Sequence, residues 1–118
     1  MSLEIKGKNV SINKSLYAYV GSAMKNLSQR VGRHLSYKEK GYKKHWHIDN
    51  ILQNPKNEII FVSLIPSFKR LEEDISIELS KKFRYIKYFG ASDLKVESNL
   101  FIINNIDLFF DTIKPFIL

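Results

Sequence analysis

The chain has 118 residues, 44% of them hydrophobic, enough for one compact core and too little for two independently folded domains. Its formal net charge is +7 and it contains no cysteine, which excludes disulfides, cysteine-ligated zinc and thiol catalysis together. No apolar run approaches the roughly 20 residues of a membrane helix, and MSLEIKGK lacks the apolar region of a secretion signal; a single soluble, cytoplasmic domain over 1–118 with no membrane partner is expected.

Residues 3–12 alternate apolar and polar around Leu3, Ile5, Val10 and Ile12 and predict a strand or hairpin interrupted by Gly7. Residues 16–22 predict a second strand. From Asn26 to Lys38 the apolar residues Leu27, Val31 and Leu35 recur at helical spacing, with Asn26 as a candidate N-cap. A basic loop, 38–44, follows. His45 to Leu52 predicts a short helix ended by Asn54-Pro55, and Glu58 to Ile65, reading EIIFVSLI, predicts a buried strand. Phe68, Leu71, Ile75, Leu79 and Phe83 then mark an amphipathic helix running to about Arg84. Residues 89–93 read as a turn, Leu100 to Ile103 as a short strand, and Ile106 to Phe116 as a final helix with Asp107 and Asp111 outward. This order predicts an α+β fold.

Charge is unevenly spread along these elements. Residues 1–50 carry ten basic side chains against three acidic ones, while residues 51–118 balance nine against nine. A segregated basic half is what a phosphate backbone meets first, and such binding weakens steeply with salt. The plain alternative is a lysine-rich solvated surface.

Three places in the pattern suggest chemistry. In the strand at 16–22, alternation puts Tyr17, Tyr19 and Gly21 on one face and Leu16, Ala18 and Val20 on the other. The two phenols are candidates to carry protons or orient a water, and Gly21 permits close backbone approach; an ordinary tyrosine-rich strand is the competing explanation. On the following helix Arg30 and His34 are i,i+4 neighbours on or beside the apolar stripe, a pairing suited to holding a phosphate; a snorkelling arginine and a hydrogen-bonded histidine would look the same. Glu72 falls within the stripe of the next helix, whereas Glu73, Asp74 and Glu78 face solvent. It needs a partner: a divalent cation, since Mg²⁺ often takes only one or two protein carboxylates, or an ion pair such as one with Arg30.

Tyr19-Val20-Gly21 followed by Asn26-Leu27-x-x-Arg30-Val31 resembles the second half of the GIY-YIG nuclease signature. More narrowly, YVGSA (19–23), RxxRHL (30–35), KKHWHID (43–49) and FGxSD (89–93) are together similar to the small prokaryotic Uri superfamily endonucleases. The resemblance implies a small central, mainly antiparallel sheet flanked by helices, and hydrolysis of a nucleic-acid phosphodiester, with DNA the expected substrate, using Mg²⁺ or Mn²⁺. By match to the motif, Tyr19 is the strand tyrosine near the nucleophilic water, Arg30 the phosphate-stabilising arginine and Glu72 the metal-holding glutamate; Tyr17 and His34 are candidates to assist proton transfer. Lys25, Arg33, Lys43, Lys44, His45 and His47 are the candidate nucleic-acid contacts. The H-x-H pair around Trp46 has no assigned role and suits either a metal or a backbone.

The sequence also departs from that pattern. No Gly-aliphatic-Tyr strand precedes Tyr19, so the domain reads as N-terminally shortened, with the first strand lost, replaced by residues 3–12, or supplied by a partner in a strand-sharing homodimer. FGASDLKV (89–96) has no cysteine where the family has a cysteine-rich stretch, and Asn99 stands where a histidine is usual. Two functions are therefore expected as alternatives: a metal-dependent endonuclease, or a catalytically degenerate module of the same fold that binds nucleic acid or protein without cutting.

Overall fold

The computed structural model describes residues 2–5, 7–23, 26–40, 48–65, 67, 71–90 and 96–117. The α+β expectation holds, with its strands arranged as two antiparallel pairs. In the first, β1 (Ser2–Ile5) pairs with β2 (Lys8–Ser11) in the register Leu3↔Val10 and Ile5↔Lys8. Period-two alternation buries Leu3 and Ile5 and exposes Ser2 and Glu4. The chain reverses at Gly7, whose φ of +78° only glycine adopts without strain.

In the second pair, β3 (Tyr17–Tyr19) runs antiparallel to β4 (Leu100–Ile102), with Ala18 opposite Phe101. Residues 84–86 extend β4 on its other side, through the Tyr85↔Phe101 bridge, Ile86 N–H to Leu100 O at 3.0 Å and Ile102 N–H to Arg84 O at 2.8 Å. β4 is thus central, and its two faces divide the core. Leu100 and Ile102 share one face with Tyr17 and Tyr19 and pack under the first hairpin with Leu3, Ile5, Ile12, Ile86 and Phe89. Phe101 and Ile103 share the other with Leu16, Ala18 and Val20, covered by α4 (Glu72–Ser80) and α5 (Ile106–Ile117) through Ile75, Leu79 and Ile113. The two faces read from the sequence at 16–20 are the two faces of the sheet.

Helix α1 (Leu27–Leu35) follows β3, and α2 (Tyr37–Lys40) and α3 (Asp49–Leu52) form a small third cluster, Tyr37, Ile48 and Leu52, that packs against Tyr19. Asn26 precedes α1 in the left-handed region at φ 60° and makes no side-chain cap; its carbonyl accepts from the Arg30 N–H at 3.0 Å. α1 also departs from its predicted stripe. Leu35 is 56% exposed, and the half-buried positions include Arg30, Val31, Arg33 and His34. Beside Leu27 and Val31, the inward side turns Arg33 and His34 toward a buried carboxylate, as described below.

Two further elements differ from expectation. The helix predicted from 68 to 84 spans Glu72–Ser80; residues 68–70 lie outside the described residues, and at the other end the Lys82 and Phe83 N–H groups both turn back to Leu79 O, at 3.1 and 2.9 Å. Glu72 therefore sits in the first helical turn, where its charge suits the helix dipole. The EIIFVSLI run is not a buried strand. Residues 58–65 form no helix, turn or bend, make no backbone hydrogen bond among the described residues, and expose Ile59, Ile60, Phe61, Val62 and Leu64. Apolar, β-branched composition predicts burial only when a neighbouring strand supplies hydrogen bonds, and none of the described strands does so here.

Candidate active site

β3 ends where the tyrosine face of the sheet meets α1 and the start of α4, and the polar side chains gather there. Ser22 joins two of them. Its carbonyl accepts a hydrogen bond from the Arg30 guanidinium, and its hydroxyl donates to Glu72 Oε2 at 2.9 Å. Glu72 Oε1 accepts from Asn99 Nδ2 at 3.0 Å. That amide nitrogen also donates to Gly90 O at 2.9 Å, while Asn99 Oδ1 accepts from the Ser76 hydroxyl at 3.0 Å. Asn99 and Ser76 are fully buried. Glu72 is thus held on both oxygens, by Ser22 after β3 and by Asn99 before β4, and Asn99 is itself fixed by the 89–90 turn and by Ser76 of α4.

Gly90 is part of this arrangement through its carbonyl, which accepts from Asn99. Its φ is +70°, and a Cβ built there would lie 3.4 Å from Asn99 Nδ2 and 3.8 Å from Tyr19 Cε1. An added Cβ would therefore meet only ordinary contacts, and it is the positive φ that favours glycine beside the amide that fixes Glu72. Gly21 lies equally close to the tyrosine, since a Cβ there would sit 3.3 Å from Tyr19 Cε2.

Tyr19 packs edge-on to His34 and to Phe89, with ring centroids 6.4 and 6.1 Å away. Burial pushes its phenol up to about 12; the nearby Glu72 and Asp49 carboxylates push the same way and Arg30 opposes them. At neutral pH Tyr19 is therefore a neutral proton donor facing a charged neighbourhood. His34 moves oppositely: burial lowers its pKa, with Arg30 and Arg33 adding to the effect and Asp49 opposing it. Its imidazole is consequently neutral near pH 7 and able to accept a proton.

Behind His34 lies Asp49, fully buried at the start of α3. Arg33 Nη1 donates to both of its oxygens, at 3.0 and 3.2 Å, and His34 Nδ1 stands 3.9 Å from Oδ1. The Arg33 guanidinium and the neutral His34 imidazole, consecutive on α1, thus both face one buried carboxylate. Arg33 is thus engaged with a buried carboxylate rather than standing on an open surface as a phosphate contact, with a side-chain exposure of 19%.

The structure brings together Tyr19, Arg30, His34 and Glu72 of the expected residues. Tyr17 stands apart: its hydroxyl donates to Asn13 O at 2.6 Å, and no described hydrogen bond joins it to the Glu72 cluster. Lys25, Lys43, Lys44, His45 and His47 lie outside the described residues. Ser22, Asp49, Gly90 and Asn99 were not singled out as working residues by spacing, although all but Asn99 fall inside the short motifs quoted above. Among the described residues no three His, Cys, Asp or Glu side chains group as a ready-made metal site.

The model of the family described as domain of unknown function DUF123 matches residues 1–117. The chain belongs to that family. DUF123 is the Uri-like family related to the GIY-YIG nucleases. No curated protein and no solved structure gave a match. Membership of DUF123 carries no activity of its own, so function must be argued from the site.

Proposed function

We propose that this protein is a metal-dependent endonuclease that hydrolyses nucleic-acid phosphodiester bonds, DNA first among them. The observation that carries the reading is the linkage of Arg30 and Glu72 through one residue, Ser22, beside Tyr19. A fixed cation, a fixed carboxylate and a neutral phenol are what a phosphodiester reaction asks of a protein, because phosphoryl transfer depends on positioning and charge stabilisation more than on covalent chemistry.

The donor set suits one hard divalent cation. Glu72 Oε2 accepts from Ser22 and Oε1 from Asn99, and a carboxylate oxygen can accept from a donor and ligate at once. Mg²⁺ or Mn²⁺ held by Glu72, with water completing its shell, would supply Lewis acidity to the phosphate. The remaining work falls to the chain's own groups. Arg30 offsets the charge on the phosphoryl oxygens. His34, neutral near pH 7, accepts the proton of the attacking water, while the Tyr19 hydroxyl orients that water.

The test uses labelled single-stranded, duplex and branched DNA, with and without Mg²⁺ or Mn²⁺, for the native chain and Glu72→Gln. The substitution keeps an acceptor for Ser22 while removing the charge. Metal-dependent cutting that disappears in the variant is the expected result. Salt-sensitive binding with no cutting by the native chain would instead identify a binding module that has kept the fold of a nuclease.

A further inference from the structure

Two incomplete pieces of sheet in this molecule have complementary needs. The first is the outer edge of β3. Val20 N–H bonds Asn99 O and Ile103 N–H bonds Leu16 O, both at 2.9 Å, so the even-numbered residues 16, 18 and 20 form the hydrogen-bonded pairs with β4. In an antiparallel ladder the alternate residues then point their backbone groups away from that partner. The N–H and C=O groups of Tyr17 and Tyr19 thus face an edge that pairs with no other described strand.

The second piece is the run 58–65, whose backbone pairs with none of the described residues. Phe61 meets Phe110 of α5 edge-on at 5.5 Å, and Ile65 joins the core beneath α4 and α5, so the run is anchored at two points. Between and beside them Ile60 is 68% exposed and Leu64 48% exposed. Sequence of this kind, uncharged and, apart from Ser63, apolar from 59 to 65, is a strand-former that pairs with none of the described strands.

We infer that two copies of this chain associate reciprocally, the 59–64 run of each adding as a strand to the outer edge of β3 in the other. A twofold axis satisfies both pieces at once, because each protomer offers one open edge and one unpaired strand-former. No other partner class is needed to account for either feature. The contact would also place the partner's strand beside Tyr19 and Gly21, along one side of the candidate site. This inference is independent of whether the site cuts nucleic acid.

The experiment combines light-scattering mass with amide hydrogen exchange on the full chain and on Ile60→Lys and Leu64→Lys, two exposed positions whose replacement leaves the buried core intact; circular dichroism verifies folding. The native chain is expected at about twice its 13.8 kDa monomer mass, with slow exchange at Tyr17 and Tyr19 and across 59–64. Both variants should return to monomer mass with exchange at those amides accelerated at least tenfold. A native chain that stays monomeric up to millimolar concentration overturns the inference. So does a dimer whose Tyr17 and Tyr19 amides exchange freely, or one that both lysine variants leave intact.

Discussion

Asp49 is the residue on which the α1 face turns. It is fully buried and shared between Arg33 and His34. Removing it strands a mostly buried guanidinium, so Asp49→Ala should lower stability by on the order of 3 kcal/mol, read from the urea midpoint, while Asp49→Asn, which keeps an acceptor for Arg33, should cost about half as much. Equal losses would mean that charge pairing contributes nothing beyond shape. His34 gives a pH signature of definite sign. Its folded pKa lies below the ordinary 6.5. Between those two values the unfolded chain holds more protons, so stability rises with pH through that window and is lost as pH falls below 6.5. Replacing His34 by Gln should flatten this acid loss relative to the native chain in urea titrations from neutral to mildly acidic pH. Residue-scale chemistry was only partly legible in the sequence. Tyr19, Arg30 and Glu72 stood out by face and spacing. Asn99 and Ser76 did not, because a neutral buried polar residue has no periodicity or charge to mark it, and its role appears only when chain segments 23 residues apart are brought together.

At the scale of elements, turns carry as much of the site as helices do. Gly7 and Gly90 both have positive φ, yet only Gly90 has neighbours for an added Cβ. Gly7→Ala and Gly90→Ala should each lose roughly 1 kcal/mol of stability from backbone strain. Only Gly90→Ala should also impair cleavage, because strain at φ +70° shifts the Gly90 carbonyl that holds the Asn99 amide against Glu72; parallel urea melts and cleavage rates separate the two effects, and equal activity would detach the 89–90 turn from the site. Element types followed local pattern well where the pattern was also the packing: the 3–12 hairpin, the two faces at 16–20, the strand at 100–102 and the last helix. The pattern misled at 58–65, where composition describes what a segment would bury and says nothing about whether a partner strand is present. It also overextended α4, since Phe83 keeps helical spacing from Leu79 while occupying the turn after the helix.

For the whole molecule, the basic half of the chain and the candidate site coincide: β3 and α1, which carry Tyr19 and Arg30, both lie within residues 1–50, where the excess of charge resides. Binding to DNA should therefore depend steeply on salt. If about five phosphates are contacted, the logarithmic slope is near −4.5, and a fourfold rise in salt should weaken binding by roughly 500-fold; a flat response in fluorescence anisotropy would remove nucleic acid as the partner. The central claim is that Tyr19, Arg30 and Glu72 form one reactive site from which Tyr17 stands apart. The most direct test is the single-turnover cleavage rate of Glu72→Gln and Arg30→Lys against Tyr17→Phe, at saturating Mn²⁺ and matched DNA occupancy. The account predicts losses of about a hundredfold or more for the first two and a rate within a few fold of native for the third. Cleavage that survives loss of the Glu72 charge, or that fails equally in Tyr17→Phe, would contradict it.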